Sequence, residues 1–325
     1  MKHHQFVNYL DPVAKEDNRP LWSVVIPTYN CANFLREALT SVLIQDPGPA
    51  TMEIIITDDG STDDIDTAVS EVGGDRVIFL KQQHNVGHIQ NFETGLHRTR
   101  GQLIHILHGD DRVCWGFYNK MQALFETNEI HAAYCRHYFI DEAGNQGYIS
   151  PLIQKESGIM YDFFERMLKG NLVQTPSMVV KRSVYEQIGM FDHRFTCMED
   201  YEMWTRIGKH FQVGYCRFPL AEYRNFLHSH TIRTVISGDS WKTLQLLNKV
   251  WLEYNDGLIP NLEHILINNM AEASWYDIRK LWSLNNPELA WDLYKKSMML
   301  KVSLKQKLRL SKAYYLGLMK SLSND

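Results

Sequence analysis

A chain of 325 residues is long enough for one large domain or a domain with a smaller appendage, and a formal net charge of −4 with 22% charged residues carries no global bias towards nucleic acid. Five cysteines without a Cys-x-x-Cys pair suggest neither a zinc ribbon nor a disulfide framework. The first twenty residues lack the apolar stretch of a signal peptide, and no later run approaches the roughly 18 to 20 apolar residues of a membrane span. A cytoplasmic protein is expected, with any membrane contact peripheral on the inner face of the cytoplasmic membrane.

Residues 1–20 read as an N-terminal extension. The β-branched run from Trp22 to Pro27 then predicts a strand, followed by the turn Thr28-Tyr29-Asn30 and a helix whose apolar face is Phe34, Leu35, Ala38, Leu39, Val42 and Leu43. The unit recurs. Glu53 to Thr57 predicts a second strand, leading into Asp58-Asp59-Gly60-Ser61-Thr62-Asp63, where Ser61 or Thr62 is expected to cap a helix beginning near Asp63. A third strand is expected over Val77 to Leu80, a helix over Ile89 to Thr99, and a fourth strand over Leu103 to Leu107. Such β-α alternation predicts an α/β fold with a doubly wound, mostly parallel sheet flanked by helices, and ligands of such sheets bind beyond the C-terminal strand ends.

Three polar clusters fall at those strand ends: PTYN at 27–30, DDGSTD at 58–63 and HGDD at 108–111. Each alone is ordinary turn chemistry; three at successive strand ends line one edge of a sheet. Two adjacent carboxylates, Asp110 and Asp111, repel unless a cation sits between them, and hard divalent cations take oxygen ligands and often retain waters. A hard divalent cation is therefore expected at this pair. Asp111 can either join it or cap a helix expected from Trp115 to Phe125.

The order and spacing of PTYN, DDGSTD, Asn85-Val86-Gly87 with Asn91, Gly95 and Gly101, then LHGDD, TPSMVVKRSVYEQIGMFD (175–192), MEDYEMWTRIG (198–208) and EYRNFLHSH (222–230) resemble the inverting family 2 glycosyltransferases, whose fold is called GT-A. The resemblance covers roughly residues 21 to 235, and it implies a nucleotide-sugar glycosyltransferase domain over 21–236. Carried over by position, it places Pro27, Thr28 and Tyr29 beside the nucleotide base, with Asp58 or Asp59 accepting a hydrogen bond from an imide N–H. A carboxylate facing that donor favours a UDP- or dTDP-sugar over a CDP-sugar, without excluding GDP. Asn85, Asn91, His108 and Gly109 also fall in the nucleotide-binding motifs, with Asn85 and Gly87 expected to shape the turn before a helix. The family's metal motif is usually Asp-x-Asp; here His108 stands at its first position and Asp110 at the second, the position that the resemblance implies holds a Mn or Mg cofactor.

Inversion by direct displacement needs a base for the acceptor hydroxyl. The resemblance gives that role to the Glu199-Asp200 pair, with Asp200 as base and Glu199 a neighbour whose charge can raise its pKa. Arg224 and His228 occupy a loop that in the family can close over the diphosphate. The implied partners are a nucleotide-sugar donor and a glycan or lipid-linked saccharide acceptor, in bacterial surface polysaccharide or glycoconjugate synthesis. Two other readings stay open. One is a degenerate member that binds nucleotide or glycan without catalysis. The other is a sugar-phosphate nucleotidyltransferase, which calls for an early Gly-rich loop that does not follow Pro27.

Residues 237–325 lose strand alternation and read as a helical region of two to four helices, with Asn286-Pro287 as N-cap and first helical position of one. Within 291–322 the sequence is basic and amphipathic, which suits either an anionic membrane or packing against the catalytic domain or another subunit, as in a homo-oligomer. Nucleic acid is not expected as a partner, given the acidic remainder.

Overall fold

The computed structural model describes residues 5–14, 18–226 and 229–322. In chain order its elements are β1 Trp22–Thr28, α1 Ala32–Leu43, β2 Met52–Asp58, α2 Ile65–Val72, β3 Ile78–Lys81, α3 His88–Arg98, β4 Leu103–Ile106, β5 Arg112–Val113, α4 Phe117–Thr127, β6 Ala132–Ile140, β7 Gln146–Ile149 and β8 Gly158–Ile159. They continue with α5 Phe163–Lys169, β9 Met178–Lys181, α6 Arg182–Ile188, α7 Glu199–His210, β10 Val213–Arg224, α8 His230–Ser237, α9 Asp239–Asn255, α10 Leu262–Ser283, α11 Pro287–Met298 and α12 Leu304–Leu322. These form two compact units, Met1–Phe163 with Leu172–Arg194 and Asp200–Phe226, and Phe164–Asn171 with Phe195–Glu199 and Leu227–Asp325.

The first unit is built on a ten-stranded sheet of order β3-β2-β1-β4-β9-β6-β10-β5, with β7 on β6 and β8 on β10. The run β3-β2-β1-β4 is parallel, as the β-α alternation predicts. All seven residues of β1 are buried, because helices cover both of its faces, and this is why it reads as an unbroken apolar run. Beyond β4 the sheet becomes mixed: β9 lies antiparallel to both β4 and β6, whereas β6 and β10 pair in parallel. Val24, Ile26, Leu35, Leu39, Ile54, Ile56, Met121 and Cys135 share one buried cluster between sheet and helices.

Two local readings change. Neither Ser61 nor Thr62 caps α2, which starts later, at Ile65, with Asp64 preceding it and no side-chain cap. Ser61 instead donates to Asp58 within its own loop, while the Thr62 N–H donates to Asn30 Oδ1 at 2.8 Å and ties that loop to the one after β1. The chain between Phe125 and residue 237, where no strand is predicted, holds β6, β7, β8, β9 and the twelve-residue β10. Arg136 and His137 interrupt the apolar pattern of β6, and Pro219 sits where the β6–β10 register shifts, as a proline within a strand must.

The second unit is helical. The α10, α11 and α12 helices enclose Ala271, Ile278, Leu281, Ala290, Tyr294, Leu310 and Tyr314. Asn286 precedes α11 as predicted, its side chain accepting from the Leu289 N–H. This unit also takes in α8 and two short pieces of chain from before residue 237. Among the described residues no helix is long and apolar enough to cross a membrane.

Candidate active site

The C-terminal ends of β1, β2 and β3 are level, with Thr28 opposite Asp58 and Asp58 opposite Lys81. The chain leaving β4 stays on β1 through Leu107 N–H to Val25 O at 2.9 Å and Gly109 N–H to Pro27 O at 3.0 Å. A side chain at Gly109 would put its Cβ 2.8 Å from Cys31 Sγ and Thr28 Cγ2, so only glycine lets the HGDD segment lie this close to PTYN. The first two loops are laced together in turn. Asn30, in the left-handed region at φ 50°, donates from its N–H to Ser61 Oγ at 2.9 Å, and Asp63 Oδ2 accepts from Ala32 N–H at the start of α1 at 2.7 Å.

Within this frame the adjacent carboxylates Asp58 and Asp59 of DDGSTD are buried and already accept hydrogen bonds from the chain. Asp58 accepts from Ser61 and, at 3.4 Å, from Thr28 Oγ1; Asp59 accepts from the N–H groups of Val86 at 2.7 Å and Gly87 at 3.2 Å. Burial pushes the Asp59 carboxyl up, and those two N–H groups oppose the shift. Asn91 is buried beneath the loops and donates to Thr57 O at 2.9 Å, which fixes the β1 and β2 ends rather than presenting an amide to solvent. Asn85 and Tyr29 are exposed, on the opening, whereas Pro27 and Thr28 are buried behind it.

Ligand atoms of His108, Asp110 and Asp111 lie within 4.8 Å of one another. His108 stacks on Phe92, ring centroids 5.3 Å apart. Asp111 is 1% exposed, and while its Oδ1 accepts from Arg224 N–H at 2.8 Å, its Oδ2 is buried without a hydrogen-bond partner, 3.9 Å from His108 Nδ1. Burial first, and then the Asp110 charge, push the Asp111 carboxyl well above the usual carboxylate range, against the opposing Arg224 N–H and guanidinium. A buried carboxylate oxygen left unmatched beside a second carboxylate and an imidazole fits a hard divalent cation. The helix-capping role is not what Asp111 does: α4 begins at Phe117, and the N–H groups of Gly116 and Phe117 donate to Gln45 Oε1.

Arg224 departs from its expected place over a diphosphate. Its side chain is fully buried, donating to the carbonyls of Asp110, Asp141 and Glu142 and to Glu37 Oε2 at 2.7 Å. Arg112 shares Glu37 at 2.8 Å and also reaches Glu222 Oε2 at 2.6 Å. Two arginines thus clamp the acidic segment to β10. His228 lies outside the described residues.

Asp200 stands in the first turn of α7 and is half-buried. Its Oδ2 accepts from Thr175 Oγ1 at 2.9 Å and its Oδ1 from Tyr201 N–H at 2.7 Å. Thr175 belongs to a turn that immediately precedes β9, and because β9 runs antiparallel to β4, that turn lies at the same sheet edge as HGDD. His105 secures it, bonding Pro176 O at 3.0 Å through Nε2; full burial holds this imidazole down at about 4, so it is neutral. Glu199 is buried and packs with the helical unit. Thr175 falls in the TPSMVVKRSVYEQIGMFD motif without a predicted role, and the sequence singles out neither His105 nor Glu37. The only signal was a Thr-Pro pair ahead of an apolar run, and an imidazole inside a strand.

Residues 23–189 match the family model described as Glycosyl transferase family 2. An uncharacterized glycosyltransferase of Rickettsia typhi is 28% identical over 192 residues, 58% of this chain and 58% of that protein, so the chain spans under two thirds of that relative's length. One from Haemophilus influenzae is 24% identical over 283 residues, covering 81% of this chain and 83% of the other. Among solved structures, S. aureus TarS 1–349 in complex with UDP-GlcNAc is similar at a TM-score of 0.57 and 14% identity, over 91% of this chain and 92% of that one. The mannosyltransferase PcManGT from Pyrobaculum calidifontis, in complex with GDP-Man and Mn2+, reaches 0.56 at 17% identity, over 93% and 81%. At these identities the likeness is one of fold.

Proposed function

From the premise that the chain belongs to glycosyl transferase family 2 and has the GT-A fold, we propose that it moves a sugar from a nucleotide-diphosphate sugar to a hydroxyl of a glycan or lipid-linked saccharide, with inversion and with a divalent cation. The observation that carries this reading is the buried, unmatched Asp111 Oδ2 beside Asp110 and His108 at the edge where three strand-end loops meet.

In this reading Asp110 and Asp111 hold Mn or Mg, with His108 as a third donor from its stack on Phe92. When bound, the cation supplies Lewis-acid neutralisation of charge on the leaving diphosphate. The base of the donor lies against Pro27, Thr28 and Tyr29, and Asp58 or Asp59 keeps a lone pair for an imide N–H, which favours UDP or dTDP. Among the neighbours, TarS was solved with UDP-GlcNAc, in line with a UDP donor, and PcManGT with GDP-Man, which keeps GDP-sugars in the donor panel. Asp200 Oδ2, oriented by Thr175, takes the acceptor proton. The acceptor belongs to surface polysaccharide or glycoconjugate synthesis, a reading that rests on the family resemblance.

The test is release of nucleoside diphosphate from a panel of UDP-, dTDP-, GDP- and CDP-sugars with Mn2+ or Mg2+ and saccharide acceptors. We expect turnover with one donor class, lowered about 10²- to 10⁴-fold in Asp200→Asn while donor binding survives. Donor binding without turnover in the wild type would instead support a degenerate binding protein.

A further inference from the structure

The last helix of the second unit carries two apolar faces, and only one is used. Leu310, Ala313 and Tyr314 of α12 are buried against α10 and α11. Leu304, Leu308, Tyr315 and Met319 lie on a different stripe, within about 60° of one another around the helix at 100° per residue. Their exposures are 74%, 61%, 51% and 66%, so this stripe is uncovered along the helix. Met299, just before the helix, is 85% exposed.

The charges beside the stripe are of one sign. Lys305 and Lys312 flank it on one side and Lys307 on the other, and no Asp or Glu occurs anywhere in residues 293–324. Further along the unit, cations are neutralised: Lys295 and Lys296 pair with Asp292, and Arg309 pairs with Glu272 at 2.6 Å while stacking on Trp275. Among the described residues Lys301, Lys305, Lys307 and Lys312 form no ion pair. An apolar stripe edged by unpaired lysines matches the boundary between acyl chains and acidic headgroups.

We propose that the outer face of α12 docks on an anionic lipid surface, with Leu304, Leu308, Tyr315 and Met319 entering the headgroup boundary and Lys305, Lys307 and Lys312 facing acidic headgroups. A second copy of this chain is the poorer occupant. A two-fold interface would set this face against itself and bring the lysines of both copies together, with no acid from residues 293–324 to offset them.

The experiment is co-sedimentation of the full chain with vesicles of phosphatidylcholine alone and of phosphatidylcholine with about one phosphatidylglycerol in three lipids. The proposal expects sedimentation with the anionic vesicles only, weakening as salt screens the lysines. Leu304→Ser with Leu308→Ser should lower the partition about tenfold, and Lys305→Glu or Lys312→Glu about fivefold each. All four side chains are exposed, and unchanged circular dichroism separates lost docking from lost fold. Equal binding to both vesicles, no binding to either, or binding untouched by these substitutions would overturn it. So would self-association in the absence of lipid, measured by sedimentation velocity and abolished by Leu308→Ser. None of these readouts uses transferase activity, so the docking and the chemistry fail or stand separately.

Discussion

Asp111 is buried with one carboxylate oxygen bonded to Arg224 N–H and the other unmatched, so in the metal-free protein its charge is costly. Asp111→Asn keeps the shape and the Oδ1 acceptor while removing that charge. It should leave the metal-free melting temperature unchanged or higher, and weaken Mn2+ binding at least about tenfold; melting curves and calorimetric titration with the metal alone check both halves. Thr175 bonds Asp200 without being placed against the reacting atoms, which makes it a positioning residue. Thr175→Val should lower kcat about tenfold, shift the acid limb of the pH profile and leave donor KM near wild type, with Thr175→Ser restoring most of the loss. A purely structural role would lower stability without moving the pH profile. Asp110 and Asp200 were legible because motif spacing marks them. Thr175 was not, because its relation to Asp200 spans 25 residues and exists only once β9 has turned back along β4.

At the scale of elements, the parallel half of the sheet could be read from the sequence because β1, β2 and β4 are short apolar runs, each ended by a polar cluster. The mixed half was hidden because β6 carries polar residues amid its apolar ones and β10 is broken by Pro219. That hidden half is what holds the acidic segment: β5 pairs with β10 through Arg112 and Glu222, and Arg224 at the end of β10 grips the carbonyls around it. Arg224→Met should cost about 3 kcal/mol of stability, by leaving buried carbonyls and Glu37 without their donor, measurable as a lower denaturant midpoint. In the helical unit, Asp277 on α10 is half-buried with Ser240 Oγ donating to it at 3.3 Å, and loss of solvent pushes its pKa up to about 6. The folded state therefore holds this proton more tightly than the unfolded chain, whose value is near 3.8, so the contribution of Asp277 to stability is fully present below about pH 4 and is lost as pH rises through about 6. Asp277→Asn should recover about 2 to 3 kcal/mol at pH 7 and flatten that decline, seen in melting temperatures across pH 4 to 8.

For the whole molecule, helical periodicity marked the C-terminal region from residue 237, yet the compact unit also recruits α8 and the pieces Phe164–Asn171 and Phe195–Glu199. Those pieces contribute through long-range packing, such as Cys197 Sγ donating to Thr243 Oγ1 at 3.3 Å and Asn269 Nδ2 to Lys169 O at 2.6 Å, and no local pattern encodes them. In the sheet unit three loops far apart in sequence converge on one edge because parallel strands present their C-terminal ends together. A nucleotide diphosphate held there with a cation is the central claim, and calorimetric titration of the full chain with UDP, dTDP and GDP, each in Mn2+ and again in EDTA, tests it most directly. Binding of UDP or dTDP that weakens at least about tenfold in EDTA and in Asp110→Ala is the predicted result. Failure of all three nucleotides to bind, or an affinity indifferent to EDTA and to Asp110→Ala, would contradict it.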